Sequence, residues 1–249
     1  RLIVPGTDAV VCSHVSNVFG FIQPVEDIAA ICRSRRVPFI IDASQSAGVL
    51  PLNMGALGAA FIAMPGHKGL YGPQGTGVLL CREDVPTRPL LEGGTGSQSI
   101  QQQMPDFLPD RLEAGTLNMP GIAGLLAGIR YVRRGGQEKI LAHEKHLTQI
   151  AAQGLAAMPG MRIFASPGLR HQTGVLSLTV EGLDVESIGS ALAERGFAVR
   201  TGIHCAPSAH RTAGTLDTGT VRVSFSDFNT PEEVARLLRV FPGALGRAF

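Results

Sequence analysis

An apolar run, an amphipathic helical stretch and a second apolar run within residues 9–42 constrain this chain more than any other feature. Residues 9–15 form a short β-rich run that ends in a turn, Ser16 to Gly20. From Pro24 to Arg36 a proline start is followed by Glu26 and Asp27 in the first turn and arginines in the last. Val25, Ile28, Ala29, Ile31 and Cys32 fit a helical stripe better than alternation, and the charges suit the helix dipole. Val37 to Asp42 then reads as a buried strand ending on a carboxylate. Strand, helix and strand at this spacing make a βαβ unit, which requires a parallel sheet.

The remaining pattern continues that architecture. A weaker helix is expected over 52–57, strands over 59–64 and 77–82, and a long segment of low periodicity over 86–118, rich in Gly, Pro, Gln and Thr. Such a length without regular structure reads as a ligand loop more than a linker. From Pro120 the character changes. Helices are expected over 122–134 and 138–158, strands over 162–165 and 174–180, and a helix over 185–195. Strands over 198–201 and 220–226 and a helix over 231–240 complete the chain. The expected organisation is a large α/β domain over 1–118 and a smaller α+β domain over 119–249, with the helix over 138–158 bridging them.

Composition narrows the partners. With 249 residues, 17% charged, a formal charge of +2, 5% aromatics and no Trp, the chain offers neither a basic field nor an aromatic platform for nucleic acid. No apolar run approaches the roughly 18 residues of a membrane helix. The chain opens on Arg1 close to a strand with no signal peptide, which predicts that sequence is missing upstream. Cys12, Cys32, Cys81 and Cys205 follow no zinc spacing and no CxxC, which suits reduced thiols in the cytoplasm. The first three sit in apolar settings and read as buried; Cys205 does not.

Two residues open the chemistry. Asp42 closes a buried strand at the edge where open α/β sheets bind ligands. It is either the N-cap of a following helix or the partner of a cationic ligand group. One strand later, Met64-Pro65-Gly66-His67-Lys68-Gly69 places a lysine in a glycine turn. Such a lysine binds phosphate or forms a Schiff base. The order GxxxxGK[ST] is absent, because Gly69 follows Lys68. An Asp on one strand end and a Lys on the next suit pyridoxal phosphate, with Lys forming the imine and Asp keeping the pyridine nitrogen protonated.

Four blocks in order carry a resemblance: Ser16-Asn17-Val18-Phe19-Gly20, Asp42-Ala43-Ser44-Gln45, Gly66-His67-Lys68-Gly69 and Arg200-Thr201-Gly202-Ile203-His204-Cys205-Ala206. The chain resembles class V aminotransferase-fold enzymes, and more narrowly the cysteine desulfurase and selenocysteine lyase family, over nearly its whole length. The resemblance implies a fold-type I pyridoxal phosphate enzyme, truncated at its N-terminus, with a partial large domain built on a mainly parallel sheet. It also implies that Lys68 is the Schiff-base lysine, that Asp42 pairs with the pyridinium nitrogen, that Asn17 and Gln45 contact the ring hydroxyl side, and that His67 reaches the cofactor phosphate. Thr95, in Gly93-Gly94-Thr95-Gly96-Ser97, resembles the loop by which one subunit reaches its partner's cofactor phosphate, so a homodimer is implied.

The second half supplies the substrate chemistry. By its residues alone Cys205 is a structural thiol or a nucleophile; a neighbouring Arg or His⁺ would lower its pKa from about 8.5. Arg222 is by itself a solvated strand residue or an anion clamp. The resemblance implies that Cys205 accepts sulfur and that Arg222, with Arg200 as a further candidate, holds the carboxylate of the substrate L-cysteine. The implied reaction converts L-cysteine to L-alanine with sulfur carried as a persulfide on Cys205, for transfer to an acceptor protein in sulfur mobilisation and iron–sulfur cluster assembly. An aminotransferase or selenocysteine lyase without an obligatory persulfide, and a non-catalytic fragment that dimerises or relays sulfur, are the alternatives. Two departures stand out. The family's Ser-Gly-His-Lys reads Pro65-Gly66-His67-Lys68 here, which removes one phosphate hydroxyl. The family's glycine-rich phosphate turn and ring-stacking residue precede the region present.

Overall fold

A computed structural model describes residues 2–98 and 100–246. Arg1, on which the expectation of missing upstream sequence rests, lies outside the described residues. The first sheet has the order β1 (Val10–Ser13), β2 (Phe39–Asp42), β3 (Phe61–Pro65), β4 (Gly77–Cys81). β2 and β3 run parallel and β4 returns antiparallel to β3, so the sheet is mixed and mostly parallel. Helix α1 (Val25–Arg35) connects β1 to β2, and the short α2 (Met54–Leu57) lies between β2 and β3. The second sheet is antiparallel, in the order β5 (Met161–Phe164), β6 (Val175–Val180), β8 (Thr220–Ser224), β7 (Arg200–Gly202).

Backbone contacts divide the chain into two compact units that interleave along the sequence. One comprises residues 1–12, 26–42 and 52–134; the other comprises residues 13–25, 43–51 and 135–249. In the first, Ala29, Cys32, Phe39, Ile41, Ala59, Ala60 and Ile62 are buried around the parallel strand pair. Helix α3 (Met119–Gly135) belongs to this unit and buries Gly121, Leu125, Gly128 and Val132. The segment expected to be irregular over 86–118 contains a single 3-10 turn, Asp110–Leu112, and no strand among the described residues.

The second unit has the larger apolar core. Leu147, Ala151 and Leu155 of α4 (Gln137–Ala156) meet Leu176 and Leu178 of β6, Ile188 and Leu192 of α5 (Val185–Ala193), Val221 of β8, and Leu237 and Phe241 of α7 (Pro231–Leu245). Each such leucine removed from water contributes about 2 kcal/mol. Side chains set the helix starts. Asp184 accepts from Ser187 N before α5. Thr230 and Glu233 form a reciprocal capping box before α7.

Three elements depart from the sequence pattern. Helix α6 (Pro207–Ala213) occupies a stretch for which the sequence pattern gives no element. Strand β7 starts at Arg200, two residues later than expected. Helix α7 runs past Pro242 to Leu245, because Phe241 and Ala244 are fully buried and their packing outweighs the proline penalty. Among the described residues no helix is long and apolar enough to cross a membrane.

Candidate active site

In the first unit the parallel pairing carries Asp42 and the lysine turn to one rim. Asp42 is the last residue of β2 and is in register with Ala63 of β3. β3 extends two residues further to Pro65, and Lys68 follows in the next turn. No helix starts at Asp42, so the N-cap reading is not realised; residues 44–49 form successive turns. The Asp42 carboxylate acts on its neighbourhood: after burial, it is the next cause holding the Cys12 thiol above its ordinary pKa.

The lysine turn is closed by its own backbone. Gly66 N donates to Thr76 O at 2.8 Å, Gly72 N to Gly66 O at 2.8 Å, and Tyr71 N to Lys68 O at 2.9 Å. A Cβ on Gly66 would collide with Thr76 Oγ1, and one on Gly128 of α3 would collide with the Leu70 carbonyl. Tyr71 meets Tyr131 of α3 edge-on, with centroids 5.4 Å apart. The turn therefore rests directly on α3, with backbone against backbone. Lys68 is half-buried and its side chain makes no hydrogen bond or ion pair among the described residues, while His67 beside it is exposed. Thr95 lies in a separate loop, where its hydroxyl is 2.9 Å from Ser97 Oγ; Gly115 N donates to Gly94 O at 2.9 Å. Among the described residues no hydrogen bond joins Thr95 to the lysine turn.

In the second unit, Asn17, Arg222, Arg200, His204 and Cys205 come together. β7 and β8 place Arg200 directly opposite Arg222 in antiparallel register, which puts both side chains on one sheet face. Like charges in that relation are destabilising. Neither arginine has an acidic partner among the described residues. Arg222 is half-buried; its Nη1 donates to Asn17 O at 2.8 Å, while its Nε is buried without a partner. Burial, then the charge of Arg200, push the Arg222 pKa below its ordinary value. A guanidinium pair with an unused donor can grip a carboxylate with two parallel hydrogen bonds.

Cys205 sits at the tip of a tight turn. His204 and Cys205 both lie in the left-handed region, at φ 52° and 59°, and Ala206 N donates to Ile203 O at 3.0 Å. The thiol is exposed. Asn17 Nδ2 donates to His204 O at 2.7 Å, so one asparagine joins the cysteine turn to Arg222 through its side chain and its carbonyl. His204 Nε2 is 3.2 Å from Thr220 O. A carbonyl only accepts, so the ring holds its proton on Nε2 and keeps a lone pair on Nδ1. Burial, then the charge of Arg222, lower the His204 pKa to about 4. With its pKa held there, His204 is neutral near pH 7. Gln45 is half-buried in the turns after β2, in the same unit as Asn17.

Sequence reasoning passed over the polar support behind this site. Ser177 Oγ donates to Val18 O at 2.6 Å and is itself 3.4 Å from Thr220 Oγ1. Both hydroxyls are fully buried. The signal was a serine and a threonine inside otherwise apolar strand runs, where an unpaired hydroxyl would be costly.

The aminotransferase class-V family profile matches residues 1–237. The chain belongs to that family. This class-V member is 36% identical over 238 residues to a probable cysteine desulfurase of Methanothermobacter thermautotrophicus, covering 93% of this chain and 59% of the relative. It is 37% identical over 242 residues to a probable cysteine desulfurase of Mycolicibacterium paratuberculosis, covering 96% of this chain and 35% of the relative. Among solved structures, the apo cysteine desulfurase of Thermococcus onnurineus NA1 matches with a TM-score of 0.87 at 36% identity, over 96% of this chain and 60% of that one. The cysteine desulfurase CsdA (S-sulfonic acid) of Escherichia coli matches with a TM-score of 0.89 at 28% identity, over 100% and 61%. The class-V chain thus has the fold-type I α/β architecture and spans about three fifths or less of the length of the four relatives named above.

The donors present suit a pyridoxal phosphate. The group needs an amine for its aldehyde carbon and a carboxylate for its ring nitrogen. Lys68 offers an unengaged amine, and Asp42 a carboxylate on the same rim of β2 and β3.

Proposed function

We propose that this chain carries the catalytic residues of a pyridoxal phosphate-dependent cysteine desulfurase, which takes L-cysteine to L-alanine and holds the sulfur as a persulfide on Cys205. The observation that carries the reading is the register pairing of Arg200 with Arg222 beside the exposed Cys205. Two guanidinium groups without an acidic partner among the described residues, next to a thiol at the tip of a strained turn, suit a small substrate with a carboxylate at one end and sulfur at the other.

Lys68 and Asp42 would hold the cofactor, with Asn17, Gln45, His67 and Thr95 as its further contacts. When bound, the cofactor supplies an electron sink for charge developing at the substrate α-carbon. Lys68 takes the α-proton and returns protons to substrate carbon as a general acid–base. Arg222, aided by Arg200, fixes the substrate carboxylate and so aims its sulfur. Asn17 keeps the cysteine turn and Arg222 in one relation. The Cys205 thiolate attacks the substrate sulfur; the new S–S bond forms as the C–S bond breaks, and the bonding pair stays on the β-carbon, which takes a proton to become the methyl of alanine. Cysteine plus thiol thereby becomes alanine plus persulfide, with no external oxidant. The persulfide would pass to an acceptor protein, for iron–sulfur cluster assembly in the cytoplasm, from a homodimer.

The test uses the full-length protein. Cys205→Ala is expected to lower sulfide and alanine formation at least about a hundredfold, in the range expected for loss of a covalent nucleophile, while borohydride still traps cofactor on Lys68. Unchanged turnover in Cys205→Ala overturns the persulfide role, and no trapped adduct on Lys68 overturns the cofactor assignment.

A further inference from the structure

His210 is the one fully buried imidazole close to the cysteine turn, and the chemistry above makes no use of it. It lies on α6, four residues after Ala206, and none of its surface is exposed. Its Nδ1 is 2.8 Å from Thr215 Oγ1, and Thr215 N donates to His210 O at 2.9 Å, so ring and backbone are tied to the same residue. Nε2 is buried without a well-formed hydrogen bond. Burial pushes the His210 pKa below its ordinary value. The ring stacks obliquely on His204, with centroids 5.9 Å apart, and on Phe19 at 5.7 Å.

A turn with two successive non-glycine residues at positive φ persists only where its surroundings over-determine it. From one side, Asn17 holds the His204 carbonyl and Thr220 the His204 ring. His210 adds a further hold: its ring packs against the His204 ring, and His210 N donates to Ala206 O at 3.2 Å. A polar side chain this deeply buried is costly unless it does something an apolar one cannot. Packing alone would be served by leucine.

We propose that His210, fixed by Thr215, is a positioning residue that holds the His204–Cys205 turn in its left-handed conformation and so aims the Cys205 thiol at substrate sulfur. This rests on the reading of Cys205 as the sulfur acceptor. His210 touches no reacting atom. Its effect is on the orientation of sulfur attack and not on the hold exerted by Arg222 on the carboxylate.

The experiment compares His210→Leu with His210→Asn, whose amide can keep the bond to Thr215, and with Cys205→Ala, in the full-length protein. His210→Leu is expected to lower kcat for alanine formation about tenfold with KM for cysteine within about twofold. In the cofactor-free protein, alkylation of Cys205 by iodoacetamide, followed by mass, is expected to change at least about threefold, because thiol reactivity follows its immediate setting. His210→Asn is expected to restore most of both. If His210→Leu loses its cooperative thermal transition, Thr215→Val, which removes only the Nδ1 partner, carries the same test. Wild-type kcat and alkylation in His210→Leu, or equal losses in the Leu and Asn variants, overturn the proposal. If Cys205→Ala keeps full turnover, the underlying reading of Cys205 fails, whatever His210 does.

Discussion

The lysine turn and the cysteine turn solve the same problem by opposite means. Each must hold one reactive side chain at the end of a strand. The lysine turn does it mainly by omission: Gly66 and Gly128 lack the Cβ atoms that would push the turn from Thr76 and from α3, and backbone hydrogen bonds close the rest, with Tyr71 alone of its non-glycine residues at positive φ. The cysteine turn does it by addition: residues that disfavour positive φ are forced there, and polar side chains from Asn17, Thr220 and His210 secure them. The first arrangement rests on backbone, with the Tyr71–Tyr131 contact beside it and no imidazole among the supports described. The second is built on imidazoles, so pH reaches it.

The most severe break in the comparison is Gly128→Val. The new side chain meets backbone of Leu70 and Tyr71, which cannot rotate aside. A loss of about 3 kcal/mol is expected, measured as a lowered thermal midpoint, together with faster amide exchange at Gly66 and Gly72. Unchanged exchange there would mean that the turn does not depend on α3.

The next effect is on pH. His204 has a folded pKa of about 4 against an ordinary 6.5, so the unfolded chain takes up the proton first. Stability from this group is therefore lost as pH falls from 6.5 towards 4. Glu144 works the other way. Burial first, and the charge of Asp227 after it, raise its pKa to about 7 despite a hydrogen bond from Gly174 N, so the native state takes the proton first and gains stability as pH falls from 7 to 4.5. Glu144→Gln removes that opposing contribution. In this variant, amide exchange at Ala206 is expected to quicken between pH 6.5 and 4, while Gly66 and Gly72 change only by the intrinsic rate. Equal behaviour of the two turns would erase the distinction drawn here.

The smallest effect has the opposite sign. Cys205→Gly relieves an exposed residue at positive φ and is expected to stabilise the protein by about 1 kcal/mol, read from the chemical denaturation midpoint, while abolishing sulfur transfer. A destabilised variant would show that the thiol itself anchors its turn.

The same contrast explains what could be read from the sequence. Glycine punctuation and the 3.6-residue stripe of Pro24 to Arg36 are local, so the parallel sheet and the lysine turn were legible. Asp42 and Lys68 share a rim because short crossovers leave little freedom. The pairing of Arg200 with Arg222 was not legible, since antiparallel register depends on how a distant strand docks. The neutral state of His204 follows from burial, which a motif does not carry. Helix α6 escaped notice because its seven residues have no apolar stripe. Its real signals were Pro207 at the start and Gly214, in the left-handed region, just past the end.

The interleaving of the two units has a consequence for synthesis. Residues 13–25 precede their partners in the chain: the Val18 carbonyl waits for the hydroxyl of Ser177, and the carbonyls of Phe19 and Gly20 wait for Gln172 and Thr173. Until some 150 further residues have followed, the segment bearing Asn17 has no fixed partner for these groups. Asn17 is thus made well before the strand that fixes its segment, and a ribosome that stalls before β6 releases a chain in which these carbonyls lack their side-chain partners.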